Sequence, residues 1–151
     1  MEREQDEHKL FQTHLNLDDL LQKIKNNRLD DIIHHLCHSN NDKIILDYSC
    51  FKYFAGPETY SIILNVITNN IDNILKYNDT FSVHVNMKNL SMSDIDKHKT
   101  FICTLSNNFK ERYPNKLKTC NIYHAPSVFA QIFKIITCFI DKETQKKIHL
   151  R

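Results

Sequence analysis

Residues Tyr113 to Ile148, YPNKLKTCNIYHAPSVFAQIFKIITCFIDKETQKKI, decide the fold. Proline denies the α conformation to the residue before it, so Tyr113-Pro114 ends whatever helix runs up to it. Leu117 to Tyr123 then reads as a short strand, and His124-Ala125-Pro126 leads directly into a helix spanning Pro126 to Ile140. In that helix Val128, Phe129, Ile132, Phe133, Ile135, Ile136, Phe139 and Ile140 recur at helical pitch and sweep an apolar arc of roughly 160°, wider than the ~100° a core-facing stripe needs. Ser127, Gln131, Lys134 and Cys138 mark the other side. Periodicity by itself describes a helix packed on a sheet and lapped by a neighbour.

Outward from this stretch, helices alternate with short strands, the pattern of an α/β sheet with crossover helices. Ser91 with Asp94 three residues on is a capping box, opening a helix with Ile95, Ile102, Leu105 and Phe109 inward. Phe81, Val83, Val85 and Met87 alternate with Ser82, His84 and Asn86. A central parallel strand is normally apolar on both faces, so this alternation suits a strand beside a pocket. Gly56-Pro57 opens a helix carrying Tyr60, Ile63, Ile67, Ile71 and Ile74 on one face. Lys43 to Tyr48 is the first strand and Lys147 to Leu150 the last. Before them, Asn16 caps a helix over Leu17 to Ile24, and Leu29 to Cys37 forms another with Ile32, Ile33 and Leu36 inward. The expected organisation is a short N-terminal helical segment, 1–38, and a compact domain, 39–151.

The opening stretch also resembles the CRAL-TRIO lipid-binding domain. Family members show Tyr-Pro, a strand ending in Asn-Ala-Pro, a helix with aromatic residues ending in Lys-Pro-Phe-Leu-Asp, then Thr and Lys-Ile. Tyr113, Pro114, Ala125, Pro126, Phe129, Phe133, Phe139, Asp141, Thr144, Lys147 and Ile148 stand in that register. Val85 to Asp94 resembles the family's strand-exit motif, with Asn89 in the glycine place because asparagine tolerates the left-handed conformation. The resemblance implies a mostly parallel sheet of about four to five strands with crossover helices and a short N-terminal helical segment. Departures are His124 for the usual Asn, Cys138 for the helix-breaking Pro, and Asn115 for the acid after Tyr-Pro. A His before the Pro and a short N-terminal lobe are features of the divergent BCH-like branch, whose members often act as scaffolds for small GTPases.

What the resemblance implies about function is non-catalytic binding of a hydrophobic ligand, foremost a membrane phospholipid, in a pocket gated by the Pro126 to Ile140 helix. Phe129, Ile132, Phe133, Ile136 and Phe139 would be the gate walls, facing Val83, Val85 and Ile122 of the sheet. Thr144 and Lys147 would hold the headgroup, with His124 at the rim. A Thr hydroxyl and a Lys ammonium suit a phosphate, whereas Asn115 cannot accept sugar hydroxyls as a carboxylate would, so inositol selectivity does not follow. The competing class is an interaction module whose helix packs shut over a vestigial pocket and whose surface binds a small GTPase or a second copy of the chain.

Composition narrows the rest. A chain of 151 residues with 41% hydrophobic content fits one core. No apolar run approaches the ~18 residues of a bilayer span, and the start MEREQDEHK is unlike a signal peptide. Cys37, Cys50, Cys103, Cys120 and Cys138 are scattered and odd in number, as reduced thiols are. The expectation is a cytoplasmic protein with transient contact to membrane surfaces, to which Lys134, Lys142, Lys146 and Arg151 would contribute ~1 kcal/mol each near anionic lipid. Asp141, Glu143 and a net charge of only +2 dilute that patch. One glycine cannot build a phosphate-cradling glycine loop, no serine sits in a nucleophile elbow, and no cofactor is expected. Acids interrupt the basic residues between Lys97 and Lys118, which argues against nucleic acid. His34 and His38 fall one helical turn apart but lack a third ligand in register, so no metal site is assigned.

Overall fold

In the computed structural model the residues described are Phe11 and 29–151, so the helix expected over Leu17 to Ile24 lies outside them. The architecture grows from β3 (Phe81–Asn86), which pairs in parallel with β2 (Lys43–Asp47) on one side and β4 (Leu117–Tyr123) on the other. β5 (Ile148–Leu150) adds in parallel beyond β4, and β1 (Cys37–Asn40) lies antiparallel on the outer edge of β2. The five strands therefore stand in chain order.

That order fixes where the helices go. Every parallel step moves the chain one strand in the same direction, and because parallel crossovers share one hand, all the connecting helices are laid on one face of the sheet. α1 (Leu29–Leu36) precedes β1; α2 (Tyr48–Phe54) and α3 (Tyr60–Leu75) join β2 to β3; α4 (Met92–Arg112) joins β3 to β4; α5 (Phe129–Ile136) and the single turn α6 (Lys142–Gln145) join β4 to β5. Ile63, Ile67, Ile71 and Ile74 of α3 pack with Ile44, Phe81 and Val83 of the sheet, and Phe129 and Ile132 of α5 pack on Ile122. Ser91 caps α4 as its sequence requires: its side chain accepts from the Asp94 amide at 3.3 Å, and the Asp94 carboxylate accepts from the Ser91 amide at 3.1 Å.

β1 has no counterpart in the sequence reading. Asn41 takes a left-handed φ of 57°, and the two-residue Asn41-Asp42 turn folds Cys37–Asn40 back along β2 in a register running from Cys37 with Leu46 to Asn40 with Lys43. β1 consequently runs across the junction expected between the segment 1–38 and the domain 39–151. His38 belongs to β1 while His34 is on α1, so these two imidazoles do not share a helix.

Left-handed positions are occupied here by side-chain-bearing residues: Asn41, Asn89 (φ 68°), Asn115 (φ 61°) and His124 (φ 54°), while Gly56 is not among them. Asparagine adopts this region at little cost, and a plain Cβ residue costs about 1–2 kcal/mol there. Asn89→Ala should thus lower stability by ~1 kcal/mol and Asn89→Gly should not, as read from urea unfolding midpoints.

The alternation in β3 holds, but both of its faces are covered. Phe81 and Val83 are buried toward the helices, and Ser82 and His84 are buried on the reverse face. There His84 Nδ1 pairs with the Tyr123 hydroxyl at 3.0 Å, Arg151 Nε donates to Asn121 Oδ1 at 2.8 Å, and the Phe11 ring stands edge-on 5.2 Å from Tyr123. Burial, then the charges of Lys43 and Arg151, outweigh Asp42 and hold the His84 pKa down at about 4, against an ordinary 6.5. A folded pKa below the unfolded one means the unfolded chain binds the proton first, so this contribution to stability is complete above pH 6.5 and lost as pH falls toward 4. Urea midpoints should fall between pH 7 and pH 4.5, and His84→Asn should flatten the fall.

Candidate functional site

The apolar interior is divided. One cluster joins α1, α2, α3, Phe101 of α4 and the sheet around Ile44, Ile63, Ile71 and Phe81; a second gathers Leu90, Ile95, Ile122, Phe129 and Ile132. Between them, bounded by the sheet below and by α4 and α5 above, lies a cavity of about 530 Å³. That is within the ~300–1,000 Å³ of small-molecule sites.

Its floor is the helix-facing side of the strands. Leu46, Val85 and Ile122 are in register across β2, β3 and β4, as are Val83 and Cys120 one pleat away, and all five line the space. Burial pushes the Cys120 thiol up to about 12, so it behaves as a small neutral wall residue. Phe101, Ile102, Leu105 and Phe109 of α4 form one wall. The end of that helix is pinned to α3: the Tyr113 hydroxyl donates to Asp72 Oδ1 at 2.8 Å and to the Thr68 carbonyl at 3.2 Å, and Arg112 pairs with the same Asp72. Phe129, Ile132 and Ile136 of α5, with Phe139 after it, form the other wall.

The two ends are polar. At the strand-entry end Lys147 donates from Nζ to the Leu117 carbonyl at 2.9 Å, and Thr144, Asp141, Lys110 and Asn115 also reach the cavity. The Asp141 carboxylate accepts from the Thr144 amide at 2.7 Å, capping α6, and that bond holds its pKa below the usual carboxylate range. At the strand-exit end are Tyr48, Asp94 and His98. His98 Nδ1 is engaged by the Tyr60 hydroxyl at 2.5 Å.

Of the residues expected in the pocket, Phe129, Ile132, Ile136, Phe139, Val83, Val85 and Ile122 line this cavity together with Thr144 and Lys147. Phe133 and His124 do not. Phe133 is half-buried against the second apolar cluster, its ring 6.3 Å from Phe129, and His124 is exposed, with its backbone in the left-handed region that turns the chain out of β4.

The helix expected over Pro126 to Ile140 is also shorter than that. Its ordered α turns run Phe129–Ile136. Beyond them Cys138 and Phe139 donate to carbonyls only three residues back, while the Thr137 hydroxyl bonds the Lys134 carbonyl at 2.9 Å. This tightening and side-chain competition end the helix without a proline. The α4 wall was legible only as inward-facing apolar residues, since spacing does not separate residues that face a core from residues that face a void.

A family model for the CRAL/TRIO domain matches residues 21–151. The chain belongs to the CRAL/TRIO domain family. CRAL/TRIO domains bind lipids and other small hydrophobic molecules. Among solved structures, the crystal structure of Sfh5 is similar over 72% of this chain, with a TM-score of 0.60 and 17% identity. At that identity the likeness shows the shared fold, and the matching part is 41% of the Sfh5 chain, so this CRAL/TRIO chain spans about two fifths of it. No curated protein matches the sequence. Among the described residues no helix is long and apolar enough to cross a membrane.

Proposed function

We propose that this CRAL/TRIO chain binds a lipid, foremost a membrane phospholipid, without catalysis, in the cavity between its sheet and α5. The observation that carries the reading is the void itself, about 530 Å³ bounded mainly by aliphatic and aromatic side chains, with its charged groups at the ends. Each buried methylene is worth ~0.8 kcal/mol in bilayer or protein, so a slot this apolar exchanges an acyl chain with a membrane at little net cost. Thr144 and Lys147 at the strand-entry end suit a phosphate, the lysine as a point charge with donors left beyond its bond to Leu117. Asp141 beside them disfavours headgroups of high negative charge. Loading takes place at a membrane surface, with α5 as the element that moves.

An open cavity favours this over the interaction module, in which the same space would be filled by side chains and the surface would engage a small GTPase or a second copy. Native mass spectrometry of the purified protein, followed by organic extraction, should find co-purified lipid. A clean apoprotein mass that stays unchanged on incubation with phosphatidylcholine vesicles would overturn the proposal.

A further inference from the structure

The strand-exit end of the cavity holds a pair of polar groups that the hydrocarbon-binding role leaves without a task. Tyr48 opens α2 directly after β2, and its buried hydroxyl lies near the Asp94 carboxylate without completing a hydrogen bond to it or to any other described residue, while the side chain faces the cavity. Asp94 lies in the first turn of α4 and also reaches the cavity. Its Oδ2 is committed to the Ser91 amide at 3.1 Å and lies 3.6 Å from Lys52 Nζ. Burial works to raise the Asp94 pKa, but the nearby Tyr48 hydroxyl, the bonds with Ser91 and the Lys52 charge outweigh it, so the group is an anion and an acceptor. Burial, and then the neighbouring Asp94 carboxylate, raise the Tyr48 pKa, so that group remains an O–H donor. A buried donor without a partner costs about 1–3 kcal/mol, a cost an occupant of the cavity can remove.

We infer that Tyr48 and Asp94 form a hydroxyl subsite, selecting a lipid whose apolar body carries a hydroxyl group remote from any phosphate. This rests on the cavity being a ligand site. A hydroxyl answers both partners at once: its oxygen accepts from Tyr48 and its proton is donated to Asp94. An ether oxygen answers only the tyrosine, and a carboxylate is repelled by Asp94. The subsite lies across the sheet from Thr144 and Lys147, at the far ends of strands of six and seven residues. At ~3.3 Å per residue the two poles are roughly 20 Å apart, the reach of a long hydrocarbon chain. A single ligand can therefore engage both, or a simple lipid alcohol can use the inner one alone.

The test is displacement of 1-anilinonaphthalene-8-sulfonate by 1-dodecanol and by its methyl ether, which keeps the chain and the acceptor and lacks the donor. Wild-type protein should prefer the alcohol by roughly tenfold, the worth of a hydrogen bond to a charged group. Tyr48→Phe and Asp94→Asn should each reduce that preference toward unity, with folding checked by circular dichroism, and Thr144→Val should retain it. Equal displacement by alcohol and ether sinks the subsite and leaves hydrophobe binding standing. A preference abolished by Thr144→Val but kept in Tyr48→Phe moves the hydroxyl to the other pole and also sinks it. Failure of both compounds to displace the probe removes the ligand cavity, and the subsite with it.

Discussion

An Ile136→Asp protein should purify folded and empty. Ile136 is half-buried in the last turn of α5 and lines the cavity. In the unloaded protein an aspartate there can stay hydrated, because water enters an unfilled cavity mouth. Once a hydrocarbon chain is bound, that carboxylate is stripped of water, a penalty of several kcal/mol. Taking about 3 kcal/mol, affinity falls roughly a hundredfold. Ile132→Asp would be less clean, since Ile132 is buried in the second apolar cluster and its loss threatens the fold. Phe133→Asp serves as the contrast: the side chain lies outside the cavity wall, so the change should cost some stability and leave cargo in place. Full lipid occupancy in Ile136→Asp, measured by native mass spectrometry, would remove α5 from the site.

Phe81→Ala should be the most destabilising single truncation, at about 3–5 kcal/mol. The ring is 1% exposed, the first residue of the central strand, and it meets Phe109 at 6.2 Å and Tyr113 at 5.6 Å in edge-on contacts. Those contacts tie the end of α4 to the sheet. Because Phe81 also borders the cavity, the space left by its ring joins an existing void and cannot be closed by small shifts of neighbours, which sets the cost at the upper part of the range. A urea midpoint within 1 kcal/mol of wild type, at unchanged slope, would contradict the placement of this ring.

What could be read from the chain follows the range of the interactions involved. The capping box at Ser91 and Asp94 needs only two residues three apart, and it forms as written. The strand Leu117–Tyr123 and the inward isoleucines of α3 are likewise set by local period. β1 escaped because Cys-His-Ser-Asn has no strand pattern of its own; it is a strand only through its bonds to β2, and the turn-forming Asn41-Asp42 was its one local sign. The far end of α5 escaped because the stop comes from Thr137 and Cys138 competing for the Lys134 carbonyl, a contest that apolar spacing does not register. In the site, the family pattern led to the α5 wall and to Thr144 and Lys147. It gave no pointer to Tyr48 or Asp94, whose meeting depends on two strands ending side by side.

The divided interior would make a lipid bound as proposed a structural component as well as a cargo. Tyr48, Val85 and Cys120 touch both halves, and a lipid bound as proposed would add contacts between them, so that loading and folding would be linked by mass action. A ligand present at a hundred times its dissociation constant adds about 2.7 kcal/mol to the folded state. On that reading, copies stripped of it should melt earlier and meet proteases more often, which ties the persistence of the protein to its loading.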